Sequence, residues 1–100
     1  MSILSAARIR HQVVFTLKPE TDEADFLAAI AALEAIPGVE AFELMREVSP
    51  KNGYEHALTM EFADRAAYEA YNEHPEHAGF VANRWDNEVA DFLEIDTVAR

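Results

Sequence analysis

The sequence predicts a single α+β domain in which helices cover one face of a four-stranded antiparallel sheet. Four segments alternate apolar and polar side chains with a period of two, which is typical of strands. Two other segments repeat apolar residues at the spacing of amphipathic helices, and the order along the chain is β-α-β-β-α-β. With 100 residues, half of them hydrophobic, the chain has enough apolar surface for one core and no length for a second domain.

The first strand and the first helix are predicted near the start of the chain. Residues 9–17 alternate, and one face of this strand is apolar except for His11. Thr21 or Asp22 can form the N-terminal cap of the following helix, whose amphipathic pattern continues for about fourteen residues. Pro37 and Gly38 end it.

The middle of the chain predicts two more strands, over residues 39–48 and 54–62. A turn joins them, and the pair Asn52-Gly53 is its strongest mark. The third strand resembles the first, because one of its faces is apolar except for a single histidine, His56. Both histidines are therefore expected on faces that point into a core.

A broken helical region and a last strand complete the pattern. Asp64 suits the cap of a helix over residues 65–72, and the pair His74-Pro75 then interrupts it. His74 is expected to cap or shape this break. A second helical piece is predicted over residues 76–85, and a strand over 90–98.

This order of elements predicts a ferredoxin-like fold with the sheet order 4-1-3-2. The first and third strands then lie side by side at the centre of the sheet. Residues 9–100 form this domain, and residues 1–8 are predicted to be a flexible N-terminal tail. The tail lacks the basic start and the long apolar run of a signal peptide.

The composition excludes several classes of function. The formal net charge is −11, and no cluster of Lys and Arg is present, which argues against binding to nucleic acid or to anionic membrane surfaces. No apolar run approaches the ~20 residues of a membrane span. The chain has no cysteine, so disulfides and thiolate sites are excluded, and this composition fits the cytoplasm.

Apolar residues on both faces of the sheet predict a homodimer. In a sheet covered on one side only, the face away from the helices should be polar. Here the second and fourth predicted strands carry apolar side chains on both sides. On the second strand, one side has Phe42, Leu44 and Val48 and the other has Val39, Ala41 and Met45; on the fourth strand, Phe92 and Val98 lie opposite Leu93 and Ile95. A second copy of the sheet is the expected cover, and two such sheets would close into a dimeric α/β barrel.

With these elements assembled, the sequence resembles the stress-responsive dimeric α/β-barrel family, known as Dabb. The resemblance lies in Ile9-Arg10-His11, in Ile36-Pro37-Gly38-Val39, in Gly53-Tyr54-Glu55-His56 and above all in residues 71–77 (YNEHPEH). It implies the dimeric barrel and a link to stress responses. The segment around Trp85 departs from the family pattern, in which a Leu-x-Pro-type segment often precedes the last strand.

The buried histidines define a candidate site. His11 and His56 lie on neighbouring strands and face the helices, and a buried imidazole needs a hydrogen-bonding partner. Tyr71 and His77, on either side of the helix break, are the expected partners. The sequence thus predicts a polar cluster between the sheet and the helices, although each of these side chains also suits a purely structural place in the core.

Histidine beside tyrosine in an apolar pocket can carry out proton transfer on a carbonyl compound. The resemblance to the polyketide-cyclase branch of the family implies specific roles: Tyr71 would polarise the carbonyl group and His77 would abstract the proton. The substrate-binding residues would be His11, His56, Phe26 and Trp85. No cofactor is expected for such a reaction.

Several functions stay open at this point. The leading hypothesis is a homodimer that binds a small apolar, aromatic or polyketide-like molecule; the alternatives are an aldol-type lyase, a purely structural or stress-protective dimer, and a monooxygenase of the same fold. A metal site built from side chains is not predicted, because no carboxylate is expected beside the inward-facing histidines. The resemblance leaves one cation site open, on the backbone carbonyl groups of Leu33, Ile36 and Val39.

Overall fold

A computed structural model of the chain describes residues 7–100. Most of the predicted N-terminal tail, residues 1–6, lies outside the described residues. Arg8 is described and pairs with Glu61 at 2.6 Å and with Glu40 at 2.8 Å. None of the described helices is long and apolar enough to cross a membrane.

The helices and strands follow the predicted order, with ends shifted by a few residues. The strands are β1 (Ile9–Leu17), β2 (Glu40–Arg46), β3 (His56–Phe62) and β4 (Val89–Thr97). The helices are α1 (Glu23–Ala31), α2 (Arg65–Glu73) and α3 (Pro75–Phe80). A 3₁₀ turn over Ala32–Ala35 extends α1, and a π-helical turn over Val81–Trp85 followed by a short helical turn over Asp86–Glu88 leads into β4.

The four strands form one antiparallel sheet in the order β2-β3-β1-β4, which confirms the predicted topology. The register of the central pair places His11 opposite Met60, and Phe15 opposite His56. On the other side of β1, His11 lies opposite Asp96. The two buried histidines are thus four positions apart along the sheet, or about 13 Å at the usual rise per strand residue.

β2 departs from the prediction in one respect. Its alternation is interrupted between Glu40 and Glu43, where the register with β3 shifts and Ala41 has a φ of +50°. Such a bulge adds a residue and reverses which side chains face the core. Val39, expected on the side opposite Phe42 and Leu44, therefore packs against the same core as these two residues. Val48, expected on their side, lies beyond the end of β2 and is 82% exposed.

Side-chain caps fix the helix ends where the sequence predicts them. Asp22 accepts a hydrogen bond from the backbone N–H of Asp25 at the start of α1, and Asp64 does the same for Ala67 at the start of α2. His74 accepts from the backbone N–H of Glu76 through Nδ1. The predicted role of His74 in shaping the helix break is thereby confirmed.

The core lies between the helices and the inner face of the sheet. Its fully buried side chains come from β1, β3, α1, α2 and the end of the 3₁₀ turn, and include Phe15, Phe26, Ile36, Met60, Phe62 and Tyr71. The outer face of the sheet has no cover among the described residues. This arrangement leaves two regions for function: the space between the two layers and the outer face.

Candidate functional site

A cavity of about 290 Å³ lies between the sheet and the helices, towards the end of β1 that carries His11. Tyr71, His77 and Trp85 line it from the helical layer, and His11 and Glu94 line it from the sheet. The other wall residues are mainly apolar. A cavity of this size suits a small organic molecule.

Tyr71 and His77 face each other across the helix break. Their ring centroids are 4.4 Å apart, and the Tyr71 side chain is buried. The Tyr71 hydroxyl has no hydrogen-bonding partner among the described side chains, so it can serve a molecule in the cavity. Burial, and then the charge of Glu94, raise the pKa of Tyr71, which therefore stays protonated as a donor.

His77 is held in one tautomer. Its Nδ1–H donates to the backbone carbonyl oxygen of Asn72 at 3.1 Å, which leaves Nε2 without a proton. Burial lowers the pKa of His77 and the neighbouring His11 lowers it further, while the Asn72 bond and the charge of Glu94 oppose them. At neutral pH the imidazole is thus a free base beside the Tyr71 ring.

His11 has different partners from those that the sequence predicted. Its Nδ1 donates to Asp96 Oδ1 at 2.6 Å, and the Tyr68 hydroxyl, 3.1 Å from the same nitrogen, donates to Asp96 Oδ2 at 2.8 Å. The prediction that Tyr71 or His77 would satisfy His11 is therefore wrong. The Tyr71 ring is 6.5 Å from that of His11, in contact with the same cavity but not bonded to it.

Asp96 and Glu94 also correct the expectation that no carboxylate lies beside the inward histidines. Both face the helical layer from β4, and the ligand atoms of His11, Glu94 and Asp96 lie within 4.8 Å of one another. The signal was present in the sequence: both acids have the same parity along β4 as Phe92 and Val98. Because His11 and Asp96 already bond to each other, we assign no metal to this group.

Tyr68 was also missed as a member of the site. It stacks on Phe62 in the core, with ring centroids 5.0 Å apart. Its position three residues before Tyr71 places both rings on one face of α2. The three-residue spacing of Tyr68 and Tyr71 could have predicted that both tyrosines face the inner side of the sheet, where His11 lies.

His56 lies outside the cavity. Its Nε2 is 3.0 Å from Glu23 Oε1, and its ring packs on Phe15 with centroids 5.1 Å apart. The proposed shared pocket with His11 does not form, because the register separates the two rings along the sheet. The expectation that Tyr71 or His77 would be its partner is also wrong, since an acid at the start of α1 takes that place.

Phe26 and Trp85 differ in their access to the cavity. Phe26 is fully buried in an aromatic cluster with Phe15, Phe80 and Trp85, and it is not part of the cavity wall. Trp85 lines the cavity and meets Phe92 edge to face at 5.4 Å. Of the four predicted substrate-binding residues, His11 and Trp85 thus contact the cavity.

The predicted backbone cation site lies at the end of the first helical segment. The carbonyl oxygen of Leu33 accepts from the N–H of Ile36, and that of Ile36 accepts from the N–H of Val39. Each carbonyl group keeps a second lone pair. Cation binding there stays a prediction.

Comparison with known proteins identifies the family of this chain. Residues 9–99 match the model of the stress responsive A/B barrel domain, Dabb. The chain belongs to this family. The resemblance predicted from the sequence is confirmed, and the Dabb match spans nearly all of the predicted domain. No curated protein matches the chain.

Solved structures share the fold of this Dabb protein. A Dabb family protein with a ferredoxin-like fold from Mesorhizobium loti is 51% identical, with a TM-score of 0.89, and the match covers 94% of this chain and 98% of that one. A hydroxynitrile lyase from Passiflora edulis is 15% identical, with a TM-score of 0.84 and 95% of each chain covered. A dimeric ferredoxin-like protein of unknown function from Thermobifida fusca is 20% identical, with a TM-score of 0.78 and coverages of 96% and 94%. At such low identity the last two show a shared fold alone.

Proposed function

We propose that this Dabb protein binds a small, largely apolar carbonyl compound in the cavity and catalyses proton transfer on it. The observation that carries this proposal is the pairing of the Tyr71 and His77 rings at one cavity, with centroids 4.4 Å apart. The Tyr71 hydroxyl has no partner among the described side chains, and His77 Nε2 carries no proton. A filled core with both side chains paired would have favoured a purely structural dimer.

The proposed step needs only these two side chains. His77 Nε2 takes a proton from the carbon next to the carbonyl group, and the electron pair of that C–H bond moves to form an enolate. The Tyr71 O–H donates a hydrogen bond to the enolate oxygen. The carbanion then takes a proton back, or attacks a second carbonyl group of the same molecule to form a C–C bond, after which the imidazolium returns its proton to the new alkoxide. The step requires no cofactor.

His11 acts as a positioning residue in this scheme. Asp96 and Tyr68 fix its ring in one orientation at the sheet side of the cavity. A ligand in the cavity therefore meets a fixed imidazole on one side and the reactive pair on the other. That a protein of the same fold is a hydroxynitrile lyase is consistent with lyase chemistry on this scaffold.

Hydrogen–deuterium exchange tests the proposal without knowledge of the natural substrate. With 4-methylacetophenone in D₂O, the acetyl methyl signal in the proton NMR spectrum should fade faster with the protein than in buffer. Tyr71→Phe and His77→Gln should each lower the protein-dependent rate by about 100-fold or more, the usual size of an acid–base contribution.

Tyr54→Phe is the matched control, because Tyr54 is a half-buried tyrosine outside the cavity wall. It should keep the wild-type rate. If wild type shows no rate above buffer, or if the Tyr71 and His77 variants keep it, the catalytic proposal is wrong. Ligand binding without exchange would leave a binding protein as the function.

We further propose that the protein is a homodimer that uses the outer face of the sheet. Leu93 and Ile95 on β4 are 49% and 46% exposed and share this face with Val14, opposite Leu93 on β1. Soluble monomeric proteins rarely expose an apolar patch of this kind, so we expect a second copy of the sheet to bury it. The neighbour from Thermobifida fusca is described as dimeric, which supports the same assembly here.

Light scattering after gel filtration tests the dimer. The wild-type protein should have twice the mass of the chain, and Ile95→Lys should reduce it to one chain by placing a charge on the apolar face. Ala70→Lys adds the same charge on an exposed position of α2 and should leave the dimer intact. A monomeric wild-type protein would contradict the proposal. The stress role and the cytoplasmic location stay predictions.

A further inference from the structure

The charges at the cavity all have one sign. Two carboxylates, Glu94 on β4 and Asp86 after the π-helical turn, belong to the cavity wall, and both are exposed to solvent. The wall, as far as the chain is described, contains no lysine or arginine. A cleft that is lined by charges of one sign and has low-dielectric walls concentrates their field.

Neighbouring cations do not neutralise these carboxylates. Arg84, next to Trp85 in the chain, donates to Glu88 and, at 2.7 Å, to Asp25. Those bonds raise the pKa of Arg84 and hold its guanidinium outside the cavity wall. The net charge of the whole chain, −11, adds to the negative field instead of opposing it.

Aromatic rings form much of the remaining wall. Tyr71, Phe80, Trp85 and Phe92 all line the cavity. Trp85 lies between the other two apolar rings, 6.4 Å from Phe80 and 5.4 Å from Phe92. Aromatic faces attract organic cations through the ring quadrupole, and tryptophan does so most strongly.

We propose that the cavity selects an organic cation, namely a carbonyl compound that also carries a protonated or quaternary amine. The inference rests on the proposed function, because it concerns the ligand of the same cavity. The carbonyl group lies at Tyr71 and His77, and the ammonium group lies among the aromatic rings with Glu94 and Asp86 as counter-charges. A carboxylate ligand of the same shape meets only like charge.

The charge of Glu94 extends to the reactive pair, where it raises the pKa of both Tyr71 and His77. A cation seated at Glu94 therefore lies within electrostatic range of these groups. A bare metal ion is the less suitable occupant, because it needs the His11 and Asp96 atoms that already bond to each other.

Three acetophenones test the inference, and the cationic and neutral probes are matched in shape. Each has an acetyl group and, in the para position, a trimethylammoniomethyl group (cation), a neopentyl group (its neutral isostere) or a carboxymethyl group (anion). Trp85 is the single tryptophan of the chain and lines the cavity, so its indole N–H signal in an NMR titration reports binding at this place.

The cation should bind about 5- to 10-fold more tightly than the neutral isostere at low ionic strength, and the anion should bind least. The advantage should shrink as salt is added, because exposed carboxylates are screened. Glu94→Gln should lower the ratio of cation to neutral affinity several-fold. Glu69→Gln removes the same charge from an exposed position of α2 outside the cavity wall and should leave that ratio unchanged.

The outcomes separate this inference from the proposed function. If the neutral isostere binds as tightly as the cation, the inference is wrong, while binding of carbonyl compounds still holds. If the preference survives Glu94→Gln and Asp86→Asn together, the carboxylates do not cause it and the inference is again wrong. If none of the probes shifts the Trp85 signal, the cavity does not bind such ligands and both proposals fail.

Discussion

The two ends of the layer between sheet and helices each hold one buried histidine, and they are built differently. At one end His56 packs against Phe15, and its only side-chain partner among the described residues is the exposed carboxylate of Glu23. At the other end His11 bonds to Asp96 next to Tyr68, and beyond it the layer opens into a cavity. The residue type and the sheet face are the same, so the neighbouring space decides what each histidine can do.

The helical layer causes this difference. At the His56 end, Phe15 packs against both Phe26 and His56, and none of these three rings lines the cavity. At the His11 end, the helical layer is interrupted at His74-Pro75, and Tyr71 and His77 on either side of this break line the cavity. A site thus forms where the second layer is discontinuous.

The largest contrast between the two ends is expected in catalysis. His77→Gln should reduce deuterium exchange of 4-methylacetophenone by about 100-fold or more, since it removes the base at the open end. His56→Gln, at the filled end, should stay within about 2-fold of wild type, because its ring is outside the cavity wall. Equal losses in both variants would abolish the distinction between the ends.

A smaller contrast is expected in stability. His11→Leu should lower the free energy of unfolding by about 1–3 kcal/mol, because it removes a charge-assisted hydrogen bond from a ring that is 6% exposed. Urea unfolding at pH 7, followed by circular dichroism, measures this loss. A stability equal to that of wild type would mean that the Asp96 bond contributes nothing net.

His56→Leu should change the same quantity by less than about 1 kcal/mol in either direction. Its partner, Glu23, has a side chain that is 62% exposed, so the carboxylate regains water when the imidazole is lost. Glu23→Gln serves as the companion variant and should also have a small effect. A loss as large as that of His11→Leu would show that the two histidines are equivalent after all.

The smallest expected effect is a shift in pH dependence at the open end. His77 acts as a base in its neutral form, so the exchange rate should fall as the pH drops through its pKa, which lies below the usual 6.5. Tyr71, His11 and Glu94 face this ring. Glu94→Gln removes a charge that raises the pKa of His77, so the fall should move to still lower pH, by less than about one unit.

The same lowered pKa affects folding. The unfolded chain binds a proton at His77 more readily than the folded protein does, so stability should decline as the pH falls below 6.5. His77→Gln should weaken that decline in urea titrations between about pH 7 and pH 5. A fall of the exchange rate with its midpoint at or above pH 6.5 would show that His77 does not have the lowered pKa.

Much of the fold could be predicted from local patterns. The alternation of β1 and β3 identified both strands and the inward faces of His11 and His56, and the caps at Asp22 and Asp64 set the starts of α1 and α2. These features depend on residues close together in the chain. The bulge at Ala41 could not be predicted, because it depends on how β2 pairs with β3.

The site was predicted in part. Tyr71 and His77 are brought together by a local feature, the helix break, and their prediction as neighbours is confirmed by the 4.4 Å between their rings. The partners of His11 and His56 depend on strand register and on which helix end reaches the sheet. Asp96 follows His11 by 85 positions, and no local pattern fixes such a pairing.

The helix break at His74-Pro75 also affects how the geometry of the site can change while the fold is kept. The donor and the base lie on two short helices that meet at the break, and neither is part of the sheet. An insertion or a substitution in this joint would reset the distance between Tyr71 and His77 while the hydrogen bonds of the four strands stay unchanged. Reaction geometry and scaffold are thus encoded in separate stretches of the chain, and either can be redesigned without rebuilding the other.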